Sequence, residues 1–176
     1  MKSLFRTSSI LLLLVVALGA AVNRPLLRSV EKSLDERINR IWPDNPLAVV
    51  GPARGVYLPT YGAVFTIELN TAYSGISPMH TTLTAQDMDK VHRQKIERTP
   101  QLKKNLEEAL VDMAASLDPV PAEEQVVLEA DLDRYDWEMP GGYPAEIMLQ
   151  STRRKLLEVK QAKGAGMDAA IRVTEH

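Results

Sequence analysis

Glu129, Asp131 and Asp133 recur at every second position in "EADLDRYDWE", and no other spacing in the chain offers as much chemistry. In a strand the three carboxylates project from one face, where oxygen ligands suit a hard cation such as calcium. A hydrolase assisted by a metal would use Asp131 and Asp133 in the same way. The run lacks the turn glycine and the terminal bidentate glutamate of an EF-hand loop. The competing reading is the solvent face of a strand that runs into a charged loop, and the alternation favours it. Asp131, Asp133 and Asp136 are therefore expected to be mostly exposed, with no histidine in coordination range.

The remaining chemistry-bearing types are sparse. His80, His92 and His176 are the three histidines, and no two lie four apart as a helical zinc pair requires. "YSGISP" is not the strand–turn–helix elbow that exposes a nucleophilic serine. Gly51, Gly55 and Gly62 stand apart, and no Gly-Lys-Ser/Thr cradle for phosphate occurs. The sequence thus assigns no catalytic, cofactor-binding or metal-ligating residue and implies no cofactor.

Two broader patterns bear on partners. Lys90 to Lys104 holds six Lys or Arg against Glu97, while Glu107 to Glu138 holds eleven acids against Arg134. A basic helical face suits anionic lipid or an acidic partner, but two separate solvated faces of one fold are the plainer expectation. Tyr57, Tyr61, Tyr73, Tyr135, Trp137 and Tyr143 all fall in or beside expected turns. They suit a contact platform, but filling the sheet edges of a core is the expected use, because Phe65 is the sole phenylalanine beyond the N-terminal segment.

The elements that must position these residues can be read from period and punctuation. Leu27, Val30, Leu34, Ile38 and Ile41 recur at helical spacing, with Arg28, Glu31, Lys32 and Glu36 between them, predicting an amphipathic helix from Pro25 to Ile41 that packs on the domain. In "VYLPTYGAVFTIELN", Phe65, Ile67 and Leu69 alternate with Val64, Thr66 and Glu68, predicting a half-buried strand. Val56 to Leu58 should pair with part of Ala63 to Asn70 across the "PTYG" turn, and because Pro59 cannot donate to a ladder this arm should be an edge strand or stop there. "TAQD" at Thr84 resembles a capping box opening a helix to Arg98, and Thr99 with Pro100 predicts a second helix bearing Leu102, Leu106, Leu110, Met113 and Leu117. "EQVVLEADLDRYDW" and "AEIMLQST" read as strands, "MPGGYP" as the turn between them. Ser151 or Thr152 caps a helix to Lys163, and "AAIRVTEH" closes the chain as a short strand.

This order predicts an α+β fold, a mixed sheet packed against helices in a two-layer sandwich, with a three-layer α/β arrangement as the alternative. "MKSLFRTSSILLLLVVALGAAVNRP" has the positive start, short apolar run and small residues of an export signal over residues 1–21, with an uncleaved anchor as the alternative. Its apolar run, Ile10 to Val22, is 13 residues, short of the ~20 that span a bilayer. Residues 22–46 form the helix and linker, and 47–176 a single domain. Removing 1–21 takes Lys2 and Arg6 and leaves 19 basic against 23 acidic residues, a mild negative balance that argues against a nucleic-acid binder. With no cysteine there is no disulfide staple, so the core alone must hold the fold.

The function expected from these features is a periplasmic or secreted, non-enzymatic interaction or accessory module with a protein or envelope partner. The membrane enters only if the N-terminal segment is retained. The alternative is the metal-assisted hydrolase built on Asp131 and Asp133.

Overall fold

The computed structural model describes residues 22–44, 47–72, 83–138 and 141–176. The expected signal at 1–21, Tyr73, His80 and part of the "MPGGYP" turn lie outside the described residues. In chain order the elements are α1 (Arg24–Ile38), β1 (Ala48–Leu58), β2 (Gly62–Asn70), α2 (Ala85–Ser116), β3 (Gln125–Leu132), β4 (Glu146–Thr152), α3 (Arg153–Gln161), α4 (Met167–Ala170) and β5 (Arg172–Glu175). The strands make one mixed sheet in the order β1-β2-β3-β4-β5. Only β2 and β3 run parallel; the other neighbours are antiparallel. A parallel pair needs a long crossover, and α2 supplies it.

Alternation sets the two faces of this sheet. Phe65, Ile67 and Leu69 of β2, Val126, Leu128, Ala130 and Leu132 of β3, and Ile147 and Leu149 of β4 are buried against the helices. Leu27, Val30, Leu34 and Ile38 of α1, Leu102, Leu106 and Leu110 of α2, and Leu156 and Val159 of α3 join the same core. The result is two layers, helices over one face of the sheet, as the pattern predicts.

The β1–β2 hairpin pairs Val56 with Val64, Tyr57 with Ala63 and Leu58 with Gly62. Its turn places Thr60 at φ 70°, and Gly62 is required where it stands: a Cβ there would lie 1.9 Å from the Gln125 carbonyl oxygen of β3. β1 starts earlier than the sequence predicts, at Ala48, and its register shifts between Val49, Gly51 and Arg54. Pro52 sits in this irregular part of an edge strand, where its missing N–H breaks no ladder.

α1 closes that edge. Asn23 caps it by accepting from the Leu26 N–H at 3.0 Å, and the helix ends at Ile38, three residues before the expected Ile41. Glu31, expected among the polar positions, is instead buried: its Oε1 accepts the Gly55 N–H at 2.7 Å and meets Arg24 Nη1 at 2.9 Å. Asp35 accepts the Ala53 N–H at 2.9 Å, and Arg24 donates to the Gly55 carbonyl at 2.7 Å. These side chains occupy the backbone groups a sixth strand would take, so the helix blunts the edge.

The two helices expected over 84–117 are one. Thr84 and Asp87 form the capping box, but α2 runs unbroken through Pro100 for 32 residues. Thr99 does not cap a new start; its hydroxyl donates to the Lys95 carbonyl at 2.9 Å one turn back. Pro100 itself is exposed, and burial of the Val91, Lys95, Thr99, Leu102 stripe holds the helix together despite the missing N–H.

Candidate functional site

Among the described residues the helices leave the other face of the sheet bare, and the strand registers arrange it in rows. Val56, Val64 and Val127 stand side by side across β1, β2 and β3. Arg54, Thr66, Glu129 and Met148 form the next row, and Glu68, Asp131 and Glu146 the one after. Val56 and Leu58 are 48% and 45% exposed, whereas Val127, in the middle strand, is buried by its neighbours. A shallow depression of about 460 Å³ lies between Arg54, Thr66, Glu68, Glu129 and Asp131. Glu129 is only partly exposed; burial first, then the carboxylates of Glu146 and Asp131, hold its carboxyl above the ordinary range. The face is therefore apolar at the turn end of the hairpin and acidic at the other.

Of the carboxylates singled out by spacing, Glu129 and Asp131 share the bare face, and Asp133 and Asp136 do not join them. Asp131 is exposed on the bare face, and Asp136 is exposed beyond the strand. Asp133 lies past the end of β3, half-buried, and accepts from Asn70 Nδ2 at 2.8 Å. No group of three or more His, Cys, Asp or Glu among the described residues is placed to hold a metal. The charged residue of this loop that does go inside is Glu138, which sequence reading passed over.

Glu138 belongs to a polar cluster at the carboxyl ends of the parallel strands. Lys95 of α2 is fully buried and donates to Glu138 Oε2 at 2.6 Å and to the Asp133 carbonyl at 2.9 Å. Its ammonium sits 4.5 Å from the centre of the Tyr135 ring, which stacks on Trp137. Tyr143 is buried and shares a hydrogen bond with Thr71 at 3.0 Å. Burial pushes its phenol up to about 12, the Thr71 bond pulling the other way, so it stays protonated. Arg98 donates to the Thr71 carbonyl and lies over the Trp42 ring at 4.6 Å. His92 Nδ1 and Glu138 Oε1 are buried without a hydrogen-bond partner, 3.9 Å apart.

This cluster corrects the picture of Lys90 to Lys104 as one solvated basic face: Lys95 and Arg98 turn inward, and Lys103 pairs with Glu175 of β5 at 2.6 Å. The signal was present in the spacing, because Lys95 falls on the line through Val91, Thr99 and Leu102. The aromatics divide too. Tyr143 is core, Tyr135 and Trp137 cover Lys95, and Tyr61 at 44% exposure faces solvent. What the cluster does chemically is to pin the loop after β3 to α2 through the buried Lys95–Glu138 charge pair, with Glu138 Oε2 also accepting the Tyr135 N–H at 2.8 Å.

No family model, no curated protein and no solved structure matches the chain.

Proposed function

We propose that the protein is an exported interaction module, periplasmic or extracellular, that docks a protein partner on the uncovered face of its sheet and performs no chemistry of its own. The observation that carries this reading is the row of exposed and half-exposed valines, Val56 and Val64, extended by Leu58, on a sheet face that no helix among the described residues covers. An antiparallel face turned to water ordinarily carries polar residues, and contiguous apolar ones favour a contact surface. No helix among the described residues is long and apolar enough to cross a membrane, so any anchoring falls to the N-terminal segment. If that segment is retained, the protein is an envelope-anchored accessory of the same kind.

Two measurements test the two halves of the reading. N-terminal sequencing of the exported product should find a start at or within a few residues of Val22; intact Met1 material in the membrane fraction would establish the anchored form. A photo-crosslinking residue at Val56, Thr66 or Met148 should trap a partner in the native envelope, and one at Glu158 of α3 should not. Adducts only from the helical layer would sink the bare face as the contact surface.

A further inference from the structure

We infer that the segment seated on this face is a cationic amphipathic helix of the partner protein, an inference that rests on the bare face being the contact surface. Three features point to it. The first is an arrangement that works against folding. Glu68, Asp131 and Glu146 stand directly opposite one another on three adjacent strands, with Glu129 in the neighbouring row. Like charges facing each other across strands repel and destabilise the sheet. None of the four carboxylates is in an ion pair among the described residues. Local rules broken in this way mark places where function outweighs stability, and the missing partner for four carboxylates is a set of cations.

The second feature is the distance between the two rows. The acidic row lies four residues along the strands from the valine row, about 13 Å at the ordinary strand rise. A helix about 10 Å wide laid along the valines covers them with one apolar stripe. Lysines or arginines on its flank then reach the carboxylates with their long side chains, their stems lying over Thr66 and Met148. Val56 and Val64 carry the exposed part of the row on β1 and β2, with buried Val127 beside them on β3, so the helix lies across the strands rather than along them.

The third feature is the closed edge. A partner adding a strand to β1 would need the N–H groups of Ala53 and Gly55, which Asp35 and Glu31 already hold. Strand addition beside the valines is therefore blocked, and a partner at that end of the sheet meets the face.

The test uses the full chain and two synthetic helical peptides sharing one Leu stripe, flanked by Lys in the first and by Glu in the second. The Lys-flanked peptide should bind, and binding should weaken roughly tenfold in the Glu68→Gln/Asp131→Asn/Glu146→Gln variant and in high salt. The variant should melt no lower than the parent because it removes repulsion; the single Asp131→Asn change provides a milder check. Equal binding of both peptides, lost on Val64→Ser, would overturn the cationic partner while leaving the face as a contact surface. Binding of neither peptide, with crosslinks still forming from the face in the envelope, would overturn the helix alone. Concentration-dependent self-association blocked by the triple variant would also overturn it, the occupant then being a second copy presenting its own Lys90 and Arg93.

Discussion

Phe65 and Gly55 show how far one residue can fix its neighbours. The Phe65 ring lies over Gly55 so closely that a Cβ on the glycine would meet it at 2.4 Å. Phe65→Ala should cost ~3–5 kcal/mol in chemical denaturation, because a fully buried aromatic leaves a cavity that neighbours fill only partly. Val64→Thr, on the bare face, should cost far less; equal losses would mean that the faces are wrongly assigned. Lys95 is the opposite case, a charge held inside by Glu138. Lys95→Met should destabilise by ~3–5 kcal/mol, since it strands the Glu138 carboxylate without its cation. Adding Glu138→Gln should restore part of the loss, and a double-mutant cycle by urea denaturation reads the coupling. A lysine on the solvent face would show neither effect.

Among the elements, α2 and α1 depart furthest from their local signals. Thr99-Pro100 has the chemistry of a helix start, yet the core stripe on either side keeps the helix continuous. Pro100→Ala should therefore raise stability, by up to ~3 kcal/mol, because it restores an N–H on the exposed side of an unbroken helix. If Thr99 and Pro100 began a separate helix, the same change would lower stability or leave it unchanged, and a thermal melt distinguishes these outcomes. In α1 Glu31 is read from the helix pattern as solvated, but it and Asp35 act as the neighbour that edge strand β1 lacks. Glu31→Ala leaves the buried Gly55 N–H unpaired and should cost about 1–3 kcal/mol in denaturation. Faster hydrogen exchange at Gly55 and Ala53 in that variant would place the loss at the edge.

For the whole molecule, the two-layer arrangement makes one sheet face core and leaves the other uncovered by any described helix, with a stability cost in the acidic rows. Glu129 carries part of that cost, through burial first and the Glu146 and Asp131 carboxylates second. Its carboxyl is raised, so the folded state holds its proton more tightly than the unfolded chain. The penalty is absent below the ordinary carboxylate range and grows as pH rises through it. Glu129→Gln should accordingly stabilise the protein at neutral pH, and the gain should fade as pH falls toward about 4. Melting curves of both forms across that interval check the sign; a gain that grew on acidification would contradict it.

Much of this architecture was legible in the chain. Period-two alternation is a property of each strand by itself, so Phe65, Ile67 and Leu69 declared the core face of β2, and Val126, Leu128, Ala130 and Leu132 that of β3, before any packing was known. The hairpin turn, the capping box at Thr84 and the cap at Thr152 were equally local, since each is a bond between residues a few positions apart. Tertiary structure decided the rest. Burial of Lys95 and Glu31 depends on Glu138 and Gly55, at separations of 43 and 24 residues, where sequence period carries no information. Continuity of α2 through Pro100 depends on a core contributed by other elements. The acidic row exists only through register: Glu68, Asp131 and Glu146 become neighbours when three strands align, and that alignment turns scattered carboxylates into one face.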